Sequence, residues 1–421
     1  MIWLLVGYMW LFIHRPFEVW PWLGALHVER VYMLAIIAYW LFCAPKTWTN
    51  NRITWGIGSL ACAIILATHS SRYTDFDNLA VQDWFKILLF YVLVLASIRD
   101  EREFRILIVA FVAITGLYEL HSLREYLCGR GVSRMGIWRM VGVDKSLGDP
   151  NSFAASVNYA LPMLLPVLAL SQKKWQRLAL AGAAALSCVC VLLTGSRTGF
   201  AGIVVLAAAG ALATKHRWRF VLLTLLGAPL IWLSLSERLQ NRYTTLIDPS
   251  LGPASAQESA ESRIVFFRMA VDIWREHPLF GVGPACFSIA SGTGMQAHSL
   301  YGQTMSELGT VGLAALGAMI LCYLWNYLEA RRVCRNIPSS CESLFCYQVV
   351  MATGIALLQL LFFGLSGHNL FRYHWLWYAA FAVLALRFLK ARDDAASGIC
   401  DEGFADAQDD ASLAACLPEV P

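Results

Sequence analysis

The sequence predicts an all-α protein, a polytopic transmembrane bundle of about 12 spans with a long outer loop containing amphipathic helices. Three observations lead there. The chain is 58% hydrophobic and only 15% charged, where a soluble domain carries about 25% charged residues. Its mean hydropathy is +0.54. The charges are bunched between long apolar runs, as loops between membrane helices require.

Apolar runs place spans near 1–13, 31–44, 53–68, 84–98, 104–121, 150–170, 177–194, 198–214, 218–235, 303–325, 345–364 and 372–390. The chain divides into spans one to nine (1–235), an outer loop (236–302), spans ten to twelve (303–390) and an acidic tail (391–421). The first run, MIWLLVGYMWLFIHRPF, has no basic leader and no small-residue cleavage site, and reads as a membrane helix. The tail has no Lys or Arg after Arg392 and many Asp, Ala and Ser, the composition of a disordered cytoplasmic segment.

With the N-terminus inside, the inner loops are short and basic: Lys46/Arg52, Arg99/Arg102/Arg105, Lys173/Lys174/Arg177, Lys215/Arg217/Arg219 and Arg331/Arg332/Arg335. The outer side is also basic, which topology does not require. It carries Arg139 among the cations of 122–149, Arg263 and Arg268 in 236–302, and Arg197 and Arg372 at span ends. Salt bridges and snorkelling account for individual arginines; the set points to an outward-facing anion site.

The twelve cysteines are scattered with no zinc-site spacing and read as small apolar residues. No clustered carboxylates or His-x-x-x-His pair suggests a metal, and no nucleic-acid partner is expected. GLSG at 364–367, followed by His368 and His374, looks like the serine motif of intramembrane proteases. Those histidines are too close in sequence to meet the serine across packed helices, so no protease is expected. A transporter would carry ionisable groups at mid-membrane depth; Lys86, Glu119 and His121 lie near span ends.

Four segments could carry chemistry. In TGSRTGF (194–200), Ser196 or Thr198 can cap the next helix, and an arginine at that positive end makes sense with a docked anion. In GDPNSFA (148–154), Asp149 can cap, Pro150 suits the first helical position and Asn151 can hydrogen-bond a neighbour. ESRIVFFRMAVDIWREHPLFGVGPACF (261–287) reads as an amphipathic helix with Ile264, Phe267, Ala270, Val271 and Trp274 on one side, stopped by His277-Pro278. It could lower Arg263 into a cavity. In HSLYGQTMSELGTVGL (298–313), His298, Gly302, Gly309 and Gly312 fall on one stripe at about 100° per residue. Glycines there predict a tight helix–helix seam. At its start the helix dipole would keep His298 neutral and able to act as a general base.

At these residues the sequence resembles the bacterial O-antigen ligase and polymerase superfamily of polytopic glycosyltransferases. The ligase pattern is His-[Asn/Ser/Gln], nine residues, then Gly-x-x-Gly; here His298-Ser299 is followed by residues 300–308 and Gly309-Thr310-Val311-Gly312. SRTG, the R…W…HPLFGVGP…F loop and DPNSFA also look like family features. The resemblance spans roughly 140–375 and is most specific over 261–313. It implies transfer of a glycan from undecaprenyl pyrophosphate to an acceptor hydroxyl, in ligases a lipid A core sugar, at the periplasmic face of the bacterial inner membrane. It also implies an inverting reaction without metal or cofactor. Membrane lipids would be further partners.

Arg197 and Arg263 are expected to stabilise the departing pyrophosphate, and His298 to take the acceptor proton. Asn151, Ser196, Arg268 and Arg139 are expected to bind substrate. Polymerisation onto a second lipid-linked repeat unit, or transfer to a protein serine or threonine, would use the same donor chemistry.

Overall fold

The computed structural model describes residues 1–74, 78–134, 136–213, 232–233, 237–244, 254–337 and 340–406. The described chain is all-α apart from one hairpin, β1 (Val132–Arg134) and β2 (Ile137–Arg139), paired antiparallel with Ser133 opposite Trp138. Helices α1 (Ile2–His14), α2 (Pro16–Val19), α3 (Pro21–Ala25), α4 (Val28–Phe42), α5 (Arg52–Ser70), α6 (Leu79–Ser97) and α7 (Glu101–Leu127) precede it. After it come α8 (Pro150–Ala160), α9 (Leu164–Leu170), α10 (Lys174–Leu193), α11 (Arg197–Ala213), α12 (Glu237–Thr244), α13 (Ala254–Glu276) and α14 (Phe287–Ala290). The chain closes with α15 (Leu300–Asn336), α16 (Cys341–Gly364) and α17 (His374–Asp406).

Many starts are fixed by side-chain caps of the kind that satisfy orphan N–H groups. Asn51 accepts from the Ile53 N–H at 2.8 Å and Asp100 from Glu103 at 2.8 Å. Asn78, Ser299 and Ser340 do the same for α6, α15 and α16.

Seven helical stretches of the described residues, with α8 and α9 together counted as one (Pro150–Leu170), are long and apolar enough to cross a membrane, fewer than the expected number. Helices α1 and α4 have 13 and 15 residues, short of the roughly 20 that a crossing takes. The expected ninth span, 218–235, lies outside the described residues but for 232–233. At the other end of the chain, α17 runs to Asp406, past the expected span end at 390; residues 407–421 lie outside the described part.

The core sits around α17. Residues 375–386 are all at most 2% exposed, on every side of the helix, so α17 is a central stave rather than an amphipathic one. It packs on α16, α15 and α6, while α5 lies along α15. Glu119, expected near a span end, is instead buried in α7 and accepts a 2.7 Å hydrogen bond from Ser187 of α10.

At one end of the bundle, where α7 and α16 begin, cations are paired. Arg392 grips Glu101 through Nε (2.6 Å) and Nη2 (2.7 Å), Arg105 also reaches Glu101 (3.1 Å), and Lys390 meets Glu329 (2.5 Å). At the opposite end start α8, α11 and α15, and there the candidate site lies.

Candidate functional site

The turn 194–196 is held from two sides. Gly195 has φ +58°, and a side chain there would press on Leu239 and Arg242. Arg242 donates from Nε to the Gly195 carbonyl at 2.5 Å, and Arg139 donates from Nε to the Thr194 carbonyl. The Ser196 hydroxyl accepts from the Gly199 N–H at 3.2 Å, so Ser196, not Thr198, caps α11. Arg197 is therefore its first helical residue, at the positive end of the dipole. Helix α11 is pulled tight against α8: Asn158 donates to the Gly199 carbonyl at 3.2 Å, and a methyl at Gly199 would come within 2.7 Å of the Ala154 side chain.

Asp149 caps α8 by accepting from the Asn151 and Ser152 N–H groups at 3.0 and 2.9 Å. The Asn151 side chain accepts from Arg139 Nη2 at 3.0 Å. Arg139 is 1% exposed. Three of the residues expected to bind substrate, Arg139, Asn151 and Ser196, thus form the scaffold that sets Arg197.

Helix α13 buries Phe266, Ala270 and Ile273, while Ile264, Val265 and Phe267 are exposed. This corrects the expected apolar face by one position: the buried stripe runs through 266, 270 and 273. Arg263 lies one turn before Phe266 on that same stripe and is itself half-buried. Arg268 is about 140° further round the helix and exposed, so it is not brought to the other arginines. Burial lowers the Arg263 pKa below the ordinary arginine value, and the charge of Arg197 lowers it further. The charges of the two guanidiniums therefore oppose each other.

The glycine stripe of α15 is not a seam between two smooth helices. Gly309 has φ +66° and ψ −160°, which interrupts α15. Into the break fits the HPLFGVGP loop. Val282 and Gly283 donate to the carbonyls of Ser306 (2.9 Å) and Glu307 (3.0 Å), and Thr310 and Val311 donate to those of Pro278 (2.8 Å) and Leu279 (3.2 Å). Loop backbone replaces the helical partners lost at the break, as buried peptide groups require. Gly302 packs on α13, its absent side chain leaving room for Ala270 and Phe267.

His298 precedes this helix in the left-handed region, with φ +50°. Its ring lies 5.5 Å from the Phe266 ring and 5.8 Å from the His368 ring, centroid to centroid. His368 belongs to the connection between α16 and α17, which sequence reasoning set aside. Two residues earlier, the Ser366 hydroxyl meets that of Thr198 at 3.3 Å. Burial first, then the charge of Arg372, pushes the His368 pKa down to about 4. The sequence signal for His368 was the GLSG stretch at 364–367 just before it, which points to a protease motif and not to this site.

The contacts form a chain. Phe266, one turn after Arg263, touches His298; His298 touches His368; and Ser366, two residues before His368, returns to Thr198, next to Arg197. The guanidiniums of Arg197 and Arg263, in a half-buried setting, repel, and an anion between them relieves that cost. An imidazole beside them can handle a proton. Among the described residues no three His, Cys, Asp or Glu side chains cluster as metal ligands would.

The model of the family described as O-antigen ligase matches residues 182–317. The match covers 136 of the 421 residues. That stretch contains Arg197, Arg263, His298 and the whole broken-helix arrangement, while Arg139, Asn151 and the 365–373 connection lie outside it. No curated protein matches the chain. Its apolar helices read as those of a multi-pass membrane protein, and the matched stretch is similar to O-antigen ligases.

Proposed function

We propose that the protein is an O-antigen ligase-type glycosyltransferase of the bacterial inner membrane, working at the periplasmic face. It moves a glycan from undecaprenyl pyrophosphate to a sugar hydroxyl of the lipid A core, without a metal or cofactor. What supports this reading is the match of 182–317 to the O-antigen ligase model together with α13, the helix that carries Arg263 and sets Phe266 against the His298 ring.

In this mechanism the acceptor oxygen attacks the anomeric carbon and its proton passes to His298. The bond from that carbon to the phosphate oxygen breaks, its electron pair leaving with the undecaprenyl pyrophosphate. Arg197 and Arg263 meet the growing negative charge, and their fixed positions in a partly dry site make each worth more than in water. Attack opposite the leaving group inverts the anomeric centre. Asn151, Ser196 and Arg139 hold Arg197 in place, and Arg268 is a contact for the glycan outside the pair.

The test uses membranes lacking endogenous transferase, supplied with undecaprenyl-pyrophosphate glycan, with and without lipid A core. Transfer to the core by the wild type, reduced about 10²–10⁴-fold in His298→Ala, is the expected result. Longer lipid-linked glycans without core would make it a polymerase, and a glycosylated protein an O-oligosaccharyltransferase. No new glycoconjugate at all would leave transport and overturn the enzyme reading.

A further inference from the structure

A cavity of about 260 Å³ opens beside the site, bounded by α1, α6, α7, α8 and the 366–373 connection. Its polar lining includes Arg15, Asp83, Gln303, His368 and Arg372, and Phe371 contributes an aromatic ring. His298, Arg197 and Arg263 do not line it. His368 belongs to both places: it faces this cavity and its ring lies against that of His298.

We propose that this cavity seats one sugar unit of the acceptor, with His368 positioning the hydroxyl that His298 deprotonates. The inference rests on the transferase reading above and adds to it where the acceptor binds.

Four observations argue for a neutral sugar. The volume falls below the roughly 300–1,000 Å³ of drug-sized pockets, so it admits one ring and not a polyprenyl chain. The lining mixes aromatic faces, on which the C–H face of a sugar ring lies, with hydrogen-bonding groups for its hydroxyls. Its charges are of both signs and engaged by protein groups: Arg15 pairs with Glu18 at 3.0 Å and Asp83 with Lys86 at 2.7 Å, Glu119 accepts from Ser187 at 2.7 Å and Arg372 donates to the Ser146 carbonyl at 3.5 Å, a mixture of donors and acceptors that suits a polyol better than a polyanion. Finally, Nδ1 of His368 is buried with no hydrogen-bond partner among the described residues. A buried polar atom in that state has a cost that a ligand hydroxyl removes.

The wall that carries His368 is also fixed. Gln303, one helical turn into α15, accepts from the Leu370 N–H at 3.4 Å, and Arg372 donates to the Ser146 carbonyl at 3.5 Å. His368 therefore acts through the acceptor's position, not on the pyrophosphate. The neutral imidazole can hold the hydroxyl by one hydrogen bond while His298 takes the proton.

The sugar could come from lipid A core or from a second lipid-linked repeat unit, and two assays separate these sources. The purified full-length protein is given a saturating undecaprenyl-pyrophosphate glycan and a varied concentration of either acceptor. His368→Ala is expected to raise KM for the true acceptor roughly tenfold, the worth of one good hydrogen bond, with donor KM unchanged. His368→Asn, which keeps a polar group near Nδ1, recovers most of this, and Arg372→Gln shows the same split on a different wall residue. A rise in donor KM with acceptor KM unchanged overturns the assignment, as does a fall in kcat alone.

Melting in detergent with core oligosaccharide, or separately with the lipid-linked repeat unit, and no donor decides the cavity independently of turnover. Stabilisation of the wild type that His368→Ala loses supports the subsite even if no transfer is seen, in which case the transferase reading alone falls. Stabilisation equal in both proteins, or absent with both ligands, overturns the subsite.

Discussion

Arg139 donates from Nη2 to the Asn151 side chain at 3.0 Å and from Nε to the Thr194 carbonyl, so one buried guanidinium ties the start of α8 to the turn before α11. Arg197 lies three residues after Thr194 and inherits its position from that tie. Replacing Arg139 by Met keeps bulk but leaves both acceptors without it. Hydrogen bonds to a charged donor contribute about 1.5–3 kcal/mol each, so melting in detergent should fall by several degrees and transfer should drop with it. Arg139→Lys should not restore either, because an ammonium cannot span two acceptors as the planar fork does. Full activity in the lysine variant would show that Arg197 does not depend on this brace.

Gly309 cannot be another residue. Its φ of +66° with ψ of −160° belongs to glycine almost alone, and a methyl there would sit 2.4 Å from the Leu279 carbonyl carbon. Gly309→Ala must expel the 278–283 loop, and Thr310 and Val311 then lose their acceptors. The expected loss is about 3 kcal/mol or more, read as lower yield of folded protein and a lower melting point. Gly317, on the same helix, meets nothing within 4 Å. Gly317→Ala should stay within about 0.5 kcal/mol of wild type. Equal behaviour of the two variants would contradict the broken-helix arrangement.

The caps show what the sequence makes legible. Asp149, Ser196 and Ser299 each precede an apolar run by one or two positions, so the start of α8, α11 and α15 could be read from local chemistry. Gly309 could not be read correctly. A glycine that lets a helix pack and a glycine that breaks it have the same sequence signature, and only the distant HPLFG backbone distinguishes them. In α13 the pair Phe266–Phe267 leaves the buried face ambiguous by one residue, and the packing of Phe266 against Phe287 and His298 decides it. His368 was invisible as a site residue because its partner, His298, is 70 positions away and neither local pattern refers to the other.

The arginine pair predicts coupled losses. Arg197→Ala or Arg263→Ala should each reduce single-turnover transfer about 10²–10³-fold at saturating donor, the effect of removing one preorganised donor to developing charge. Lysine at either position should recover only part, since it offers a point charge instead of a planar fork. The double variant should lose less than the product of the two, because neighbouring groups that serve one anion are not independent. A full rate in Arg263→Ala would remove α13 from the site, and strictly multiplicative losses would mean the two arginines meet different anions.

His368 gives the stability a pH dependence whose sign is fixed. Burial holds its pKa at about 4, below the ordinary 6.5. Between those values the unfolded chain binds a proton at this position that the folded chain refuses, so stability rises with pH across that window. The contribution is fully present above 6.5 and is lost as pH falls toward 4. Melting of the detergent-solubilised protein should therefore decline as pH is lowered from about 6.5 to about 4, and His368→Asn, which has nothing to protonate, should decline less steeply. The difference between the two curves isolates His368 from the other histidines. Parallel curves would mean that His368 is solvated, and with it the wall that joins the cavity to His298.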